Sequence, residues 1–194
     1  MDRREFFKFS ARKAKQVAVK GADARARKRA AHWIRPPFAL PELEFLLACT
    51  RCSECIEACP HDVVFGLASR LGAEVVGTPA LDLLNTACQL CEDWPCVSAC
   101  EPKALRRDED DEVLPRLALA EIDTATCLPY SGPECGACKD SCPVDDAMSW
   151  EMEKPAISAE HCIGCGLCRA ACILEPKAIK LRSIYKEEHS DDQA

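Results

Sequence analysis

The cysteines are the residues of this chain whose type and spacing most clearly carry chemistry. There are 16 of them, and they fall into four motifs of four. The first and fourth motifs have the spacing C-x2-C-x2-C-x3-C, the second widens its middle gap to four residues, and the third widens its first gap to seven. In chain order the motifs are Cys49, Cys52, Cys55, Cys59; Cys88, Cys91, Cys96, Cys100; Cys127, Cys135, Cys138, Cys142; and Cys162, Cys165, Cys168, Cys172.

Three kinds of site use clustered cysteines. Disulfide frameworks suit short secreted chains, and three cysteines on one tight loop pair poorly with one another. Structural zinc is held by two well-separated C-x2-C pairs, so a triplet offers one thiolate too many. A cube-shaped 4Fe–4S cluster takes three cysteines from one short loop and a fourth from elsewhere, which is the pattern of bacterial ferredoxins. The spacing therefore predicts four 4Fe–4S clusters with all the cysteines as ligands, and a zinc-binding scaffold is a distant alternative.

Such clusters carry single electrons without changing their ligands, which suits relay rather than substrate chemistry. Full cysteine ligation leaves no open iron position, and the C-x3-C-x2-C spacing of radical enzymes does not occur in this sequence. We therefore predict an electron carrier that is not an enzyme and has no catalytic residues. Its partner is expected to be a redox protein, either a reductase or a quinol-oxidising membrane subunit.

Internal repeats predict the fold class. The stretch Glu-Pro-Lys-Ala follows the second motif at residues 101–104 and returns after the fourth motif at residues 175–178. Short apolar segments that favour strands lie before and after the motifs, as in residues 117–122. We predict an α+β protein of two ferredoxin-like modules, each holding two clusters, in residues 36–185. Residues 186–194 form a polar tail, and no segment has the 18 or more apolar residues of a membrane span.

The first 35 residues form a basic arm on an acidic body. They contain 12 Lys and Arg residues against three acidic ones, whereas the remainder contains 13 against 29. We predict a helix over about residues 4–32 that could dock on an anionic membrane surface or an acidic partner, with a solvated helical tail as the alternative and no nucleic-acid binding. Residues 3–8 read R-R-E-F-F-K, like a twin-arginine export signal, but no apolar segment follows. The prediction is a cytoplasmic protein, with periplasmic export as the alternative.

Several segments resemble the ferredoxin-type proteins of periplasmic nitrate reductase systems, of the NapG/MauM and NapF types. They belong to the iron–sulfur subunits of the dimethyl sulfoxide reductase class. Residues 88–100, with their Pro-Cys step, are similar to the second motif of NapG-type proteins. Residues 127–138 resemble the unusual third motif, and residues 162–168 with 175–179 resemble the fourth. Residues 35–42 are more similar to the start of NapF-type proteins.

The resemblance implies a nested pairing of the motifs, the first with the fourth and the second with the third. The predicted clusters are then Cys49, Cys52, Cys55 with Cys172; Cys162, Cys165, Cys168 with Cys59; Cys88, Cys91, Cys96 with Cys142; and Cys127, Cys135, Cys138 with Cys100. Module A would combine residues 45–70 with 155–182, and module B would span residues 80–150. Sequential pairing, the first motif with the second and the third with the fourth, is the alternative.

The resemblance also implies two functions. The first is relay of electrons between a quinol or another low-potential donor and a partner oxidoreductase. The second is a cytoplasmic accessory role in the maturation of a molybdenum-type reductase, such as periplasmic nitrate reductase.

Overall fold

The computed structural model describes residues 3–108 and 113–186, so the predicted polar tail from residue 187 onward lies outside the described residues. Helices and short strands are mixed along the chain, in agreement with the α+β prediction. The elements are α1 Arg3–Ala30, α2 Glu42–Ala48, α3 Glu54–Glu57, β1 Val64–Gly66, β2 Pro79–Leu81, α4 Pro95–Ser98, β3 Ala118–Ile122, α5 Leu128–Ser131, β4 Met148–Glu151, β5 Lys154–Ile157, α6 Leu167–Ala171 and β6 Ile179–Ser183.

Two antiparallel strand pairs connect neighbouring cysteine motifs. The pair β1–β2 lies between the first and second motifs, with Gly66 opposite Pro79. The pair β4–β5 lies between the third and fourth motifs, with Trp150 opposite Pro155. Each connector therefore reverses the direction of the chain and places the next motif beside the previous one.

A second antiparallel pairing closes each half of the molecule. Strands β3 and β6 flank the third and fourth motifs and are opposed over five residue pairs, beginning with Ala118 opposite Ser183. The segments that flank the first and second motifs meet in a single bridge between Ala39 and Leu105. The topology thus repeats, with residues 36–105 as the N-terminal half and residues 117–183 as the C-terminal half. The predicted boundaries of modules A and B are wrong in this structure, because strands join neighbouring motifs rather than the first with the fourth.

An apolar core joins the two halves. Leu81 and Leu83 from the N-terminal half pack in one buried cluster with Leu117, Ala118 and Ile163 from the C-terminal half. The backbone N–H of Leu117 donates to the Ile163 carbonyl oxygen at 2.7 Å within the C-terminal half. Because this cluster also contains cysteines of both halves, the junction lies directly beside the residues predicted to bind iron.

Helix α1 is anchored at its C-terminal end. Ala30 is fully buried, and the Ser183 hydroxyl donates to its carbonyl oxygen at 2.6 Å. Arg29 forms an ion pair with Glu74 of the N-terminal half. Further towards the start of the helix, Val17 and Val19 are exposed. Among the described helices, none is both long and apolar enough to cross a membrane.

A buried ion pair follows this helix. The Arg35 guanidinium donates to both carboxylate oxygens of Glu42, at 2.6 and 3.0 Å, and Glu42 has no exposed surface. Arg35 also donates to the Thr78 hydroxyl and the Pro79 carbonyl oxygen. Since each charge has several partners, the pair fixes the start of the N-terminal half against the β1–β2 pair.

Candidate functional site

The cysteine loops of the first, second and fourth motifs share one backbone conformation. The residue two positions before the third cysteine is left-handed in all three, at Ser53, Trp94 and Gly166, and a short helix begins directly after it. The residue before the second cysteine is also left-handed, at Arg51, Leu90 and Gly164. These turns wrap the loop so that its three thiols face one side, although most of these positions are not glycine.

Gly164 is required for a separate reason. A Cβ atom built on it would lie 2.2 Å from the carbonyl oxygen of Ala118, in addition to meeting a positive φ of 73°. The fourth loop therefore lies against strand β3 with no room for a side chain.

Each set of three cysteines shares a cavity with one distant cysteine. The four cavities have mostly apolar walls. We name them by their cysteines: site I has Cys49, Cys52, Cys55 and Cys100; site II has Cys88, Cys91, Cys96 and Cys59; site III has Cys127, Cys135, Cys138 and Cys172; and site IV has Cys162, Cys165, Cys168 and Cys142.

This grouping corrects the nested pairing. Cys100, and not Cys172, lies with the first motif, while Cys59 lies with the second motif instead of the fourth. Likewise Cys172 lies with the third motif and Cys142 with the fourth. The physical reason is that the connectors fold back as β1–β2 and β4–β5, so neighbouring motifs meet and exchange their fourth cysteines. All the cysteines predicted as ligands are brought to a site, in the sequential arrangement.

Burial controls the protonation of these thiols. Burial first, and then the charge of neighbouring cysteines, raises the pKa of Cys55, Cys96 and Cys168 to about 12. Burial likewise raises the pKa of Cys88 and Cys138 to about 11. A set of buried thiolates therefore needs positive charge in its cavity, and an iron–sulfur core would supply that charge.

The shape and donor set of the sites fit such a core. Among the described residues, no group of three or more His, Cys, Asp or Glu side chains lies close enough together to hold a single metal ion. Each cysteine quartet instead surrounds a cavity. At site I the thiol sulfur of Cys100 also accepts a hydrogen bond from the Leu105 N–H, at 3.4 Å. N–H groups of this kind are typical partners of cluster sulfur.

Sites II and IV meet at the junction of the two halves. The backbone N–H of Cys88 donates to the carbonyl oxygen of Cys165 at 2.9 Å, so a hydrogen bond joins one cysteine of each site directly. Within the N-terminal half, Cys55 of site I and Cys96 of site II belong to one buried cluster. In the C-terminal half, burial and then nearby thiolates, Cys138 of site III among them, raise the pKa of Cys168. The sites therefore adjoin in the order I, II, IV, III.

Sequence reasoning missed several residues that shape these sites. No sequence signal marks Arg51, Leu90 or Trp94 as left-handed, because these residue types rarely adopt that conformation. The sequence did contain a signal for the pairing. The repeated Glu-Pro-Lys-Ala follows the second and fourth motifs, which makes them equivalent and points to a repeat of the first and second motifs by the third and fourth.

Protein-family models match two parts of the chain. The model described as a 4Fe-4S dicluster domain matches residues 119–173, which contain the third and fourth motifs together. The model described as a 4Fe-4S binding domain matches residues 46–67, around the first motif. The first match covers the cysteines of sites III and IV as one unit, in line with the geometry of the C-terminal half.

Curated proteins of one kind are similar to the chain over most of its length. The ferredoxin-type protein NapG of Haemophilus influenzae is 38% identical over 76% of the chain, which spans 58% of that relative. The methylamine utilization ferredoxin-type protein MauM of Methylorubrum extorquens is 36% identical, over 80% of this chain and 75% of its own. The ferredoxin-type protein NapF of Escherichia coli is 32% identical, over 75% and 83%. No solved structure gives a significant match.

Proposed function

The chain belongs to the ferredoxin-type family of NapG, MauM and NapF proteins, which are 4Fe–4S electron-transfer proteins, and on that basis we propose that it holds four 4Fe–4S clusters and relays electrons through them. The proposal rests on one observation above all. Each site combines three cysteines of one motif with the last cysteine of its neighbour, and this arrangement occurs at all four sites. The two halves are then ferredoxin-like modules that follow one another along the chain.

The protein residues determine how the relay is laid out. When bound, the clusters supply one-electron chemistry, and the cysteines hold them without an exchangeable position. Sites I and II are neighbours through Cys55 and Cys96, which lie in one buried cluster. Sites II and IV are joined by the hydrogen bond between Cys88 and Cys165. Sites IV and III are neighbours through Cys168 and Cys138. We therefore propose a linear route whose ends are sites I and III.

The exposure of the cysteines supports one of these ends as a point of electron exchange. Cys52 of site I is the only exposed cysteine among the sixteen, all of which the structure describes. Leu47, near the end of α2 and shortly before the first motif, is also exposed, at 80%. We propose that a redox partner exchanges electrons there, either a reductase or a quinol-oxidising subunit.

Iron analysis tests the cluster content. Protein prepared without oxygen should contain about sixteen iron and sixteen acid-labile sulfide per chain, as four 4Fe–4S clusters require. Reduction with dithionite should give the magnetic resonance signals of interacting 4Fe–4S clusters. Zinc in place of iron would overturn the proposal in favour of a structural scaffold.

The grouping of cysteines can be tested by a matched pair of substitutions. Cys100→Ser should alter only the signal of site I and Cys172→Ser only that of site III, because each removes one ligand from one site. Electron paramagnetic resonance, with each motif's signal identified by substituting its own first cysteine, measures the result. If Cys172→Ser alters the cluster of Cys49, Cys52 and Cys55, nested pairing is correct and the layout of the route is wrong.

The accessory role predicted from the NapF resemblance is kept as a second candidate because of the match to NapF over 83% of that relative. Relay requires the reduced protein to pass electrons rapidly to a mature partner enzyme. A maturation protein would instead bind the cofactor-free enzyme and release it after cofactor insertion. Stopped-flow oxidation and pull-down with both forms of the partner distinguish the two.

The location in the cell is proposed to be cytoplasmic. The support is the sequence after Arg3 and Arg4, which lacks the apolar segment that an export signal needs. Fractionation of cells that produce the full chain tests this, and periplasmic recovery that depends on Arg3 and Arg4 would contradict it.

A further inference from the structure

Trp150 is a tryptophan in the wall of site III. It lies on strand β4 opposite Pro155, and both residues line the site together with Cys135, Cys138 and Cys172. The ammonium group of Lys139 lies 5.9 Å from the centre of the Trp150 ring. The indole therefore has a cation near its ring and lines the same cavity as the cysteines of site III.

The indole N–H has no acceptor within the protein. The Nε1 atom of Trp150 is buried, and no hydrogen-bond partner for it exists among residues 3–108 and 113–186. A buried donor without a partner costs about 1–3 kcal/mol, so such groups are rare and call for an explanation. An acceptor is needed next to this side chain, and the cavity that it lines is the place where one would be bound.

We propose that the Trp150 N–H donates a hydrogen bond to a sulfur atom of the cluster in site III and thereby raises the reduction potential of that site. This inference rests on the proposed function, since the acceptor belongs to the cluster. Reduction adds one electron to the cluster and breaks no bond, and the added negative charge makes its sulfur atoms better acceptors. A donor therefore stabilises the reduced form more than the oxidised form, and hydrogen bonds to sulfur are one of the protein's means of setting the potential.

The N-terminal half provides an internal comparison. Gly66 of β1 lies opposite Pro79 of β2, just as Trp150 of β4 lies opposite Pro155 of β5. Pro79 lines the cavity of site I, and Pro155 lines the cavity of site III. Site I therefore has a glycine where site III has an indole. Trp150 consequently distinguishes the two end sites of the proposed route.

The test removes the N–H and measures the potential of site III. Trp150→Phe and replacement of Trp150 by 3-benzothienylalanine, which keeps the size of the indole but has no N–H, are compared in fully loaded protein by redox titration with paramagnetic resonance. The signal of site III is identified by its change in Cys127→Ser, which removes the first cysteine of the third motif. Both replacements should lower the equilibrium constant for reduction of site III about tenfold, which is 59 mV for one electron, and leave the other three sites unchanged.

A direct readout accompanies the titration. In protein with ¹⁵N-labelled indole, the hyperfine coupling between ¹⁵N and reduced site III should be present and should vanish in Trp150→Phe. Trp33→Phe is the control, because its indole N–H is bonded to Glu42 at 3.3 Å and Trp33 lines none of the four sites.

The outcomes separate the two proposals. An intact cluster in site III with an unchanged potential in the benzothienyl variant and no ¹⁵N coupling would overturn the role of Trp150 alone. Absence of iron from site III in the unmodified protein would overturn the proposed function instead. If Trp150→Phe fails to fold, the benzothienyl variant still decides, because it preserves the packing of the ring.

Discussion

The two halves of the molecule keep the same cysteine geometry but support it by different means. In the C-terminal half, β3 and β6 are opposed over five residue pairs and close the structure around sites III and IV. In the N-terminal half, the equivalent pairing is a single bridge between Ala39 and Leu105. There, helix α2 and the buried pair of Arg35 and Glu42 hold the segment in place. The strand ladder therefore differs between the halves, whereas the grouping of three cysteines with one distant cysteine is the same in both.

This difference indicates what defines the fold. The first, second and fourth loops share two left-handed positions although their residues there differ. The third loop has a longer first gap, and its corresponding residues Glu134 and Gly136 are not left-handed. Site III nevertheless groups four cysteines as the other sites do. The arrangement of thiols is thus conserved between the halves, and the surrounding elements adapt to it.

The largest expected effect is the loss of a cluster, at the contact between the fourth cysteine loop and strand β3. Gly164→Ala should destroy site IV, because the added Cβ would lie 2.2 Å from the carbonyl oxygen of Ala118, which is held in the β3–β6 pairing opposite Ser183. Leu90 occupies the equivalent position of the second loop and already has a side chain at a positive φ of 52°. Leu90→Ala should therefore keep all four clusters. Iron content measures both, with a loss of about four irons expected only for Gly164→Ala.

That prediction fails if the two variants retain equal amounts of iron. In that case the close contact between the fourth loop and β3 does not position site IV.

The next largest effect is a loss of stability when the ion pair of each half is broken by the same Glu→Gln substitution. Glu42→Gln leaves the Arg35 charge buried without a counterion, and the expected cost is about 3–5 kcal/mol. Glu121→Gln removes an exposed pair with Arg182, at 3.3 Å in the C-terminal half, and should cost about 0–1 kcal/mol. Thermal unfolding followed by circular dichroism, without oxygen, should show a large fall in Tm for Glu42→Gln only. Equal shifts would show that the buried pair is not what holds the N-terminal half.

The smallest effect concerns the turn between β4 and β5. Met152 and Glu153 form it with positive φ values of 47° and 62°, which neither residue type favours. The double substitution Met152→Asn, Glu153→Gly places there the pair that such two-residue turns prefer. Since Met152 is 88% exposed, little packing is lost. We expect a gain of about 1 kcal/mol, or roughly 2–4 °C in Tm for a chain of this size; a lower Tm would contradict this.

The sequence predicted the mixture of helices and strands and the cysteines that gather at the four sites, but not which motifs share a site. The prediction of the ligands follows from spacing, because a cube-shaped cluster takes three thiols from one loop and a fourth from afar. Pairing depends on the direction in which a connector leaves its motif. That direction is set by β1–β2 and β4–β5, strands of only three or four residues, whose sequences carry a weak signal.

The other residues that line or support the sites were even harder to predict from the sequence. Trp150 is one aromatic residue in a short strand, and its relation to site III depends on the register that places it opposite Pro155. A shift of one residue would send its side chain to the other face of the pair. Similarly, Arg35 and Glu42 lie in a segment whose composition suggests only a turn and a helix start. Their burial results from the packing of α2 against α1 and from the hydrogen bonds of Arg35 to Thr78 and Pro79.

The exchange of fourth cysteines between neighbouring motifs has a consequence for synthesis of the chain. Sites I and II are complete once Cys100 has emerged from the ribosome, since no later residue contributes a thiol to either of them. Under the proposed function, iron and sulfide would then be inserted into the N-terminal half while the C-terminal half is still being translated. The clusters of the two halves would then be assembled one after the other. This order would be impossible if the fourth motif had to supply a cysteine to the site of the first motif.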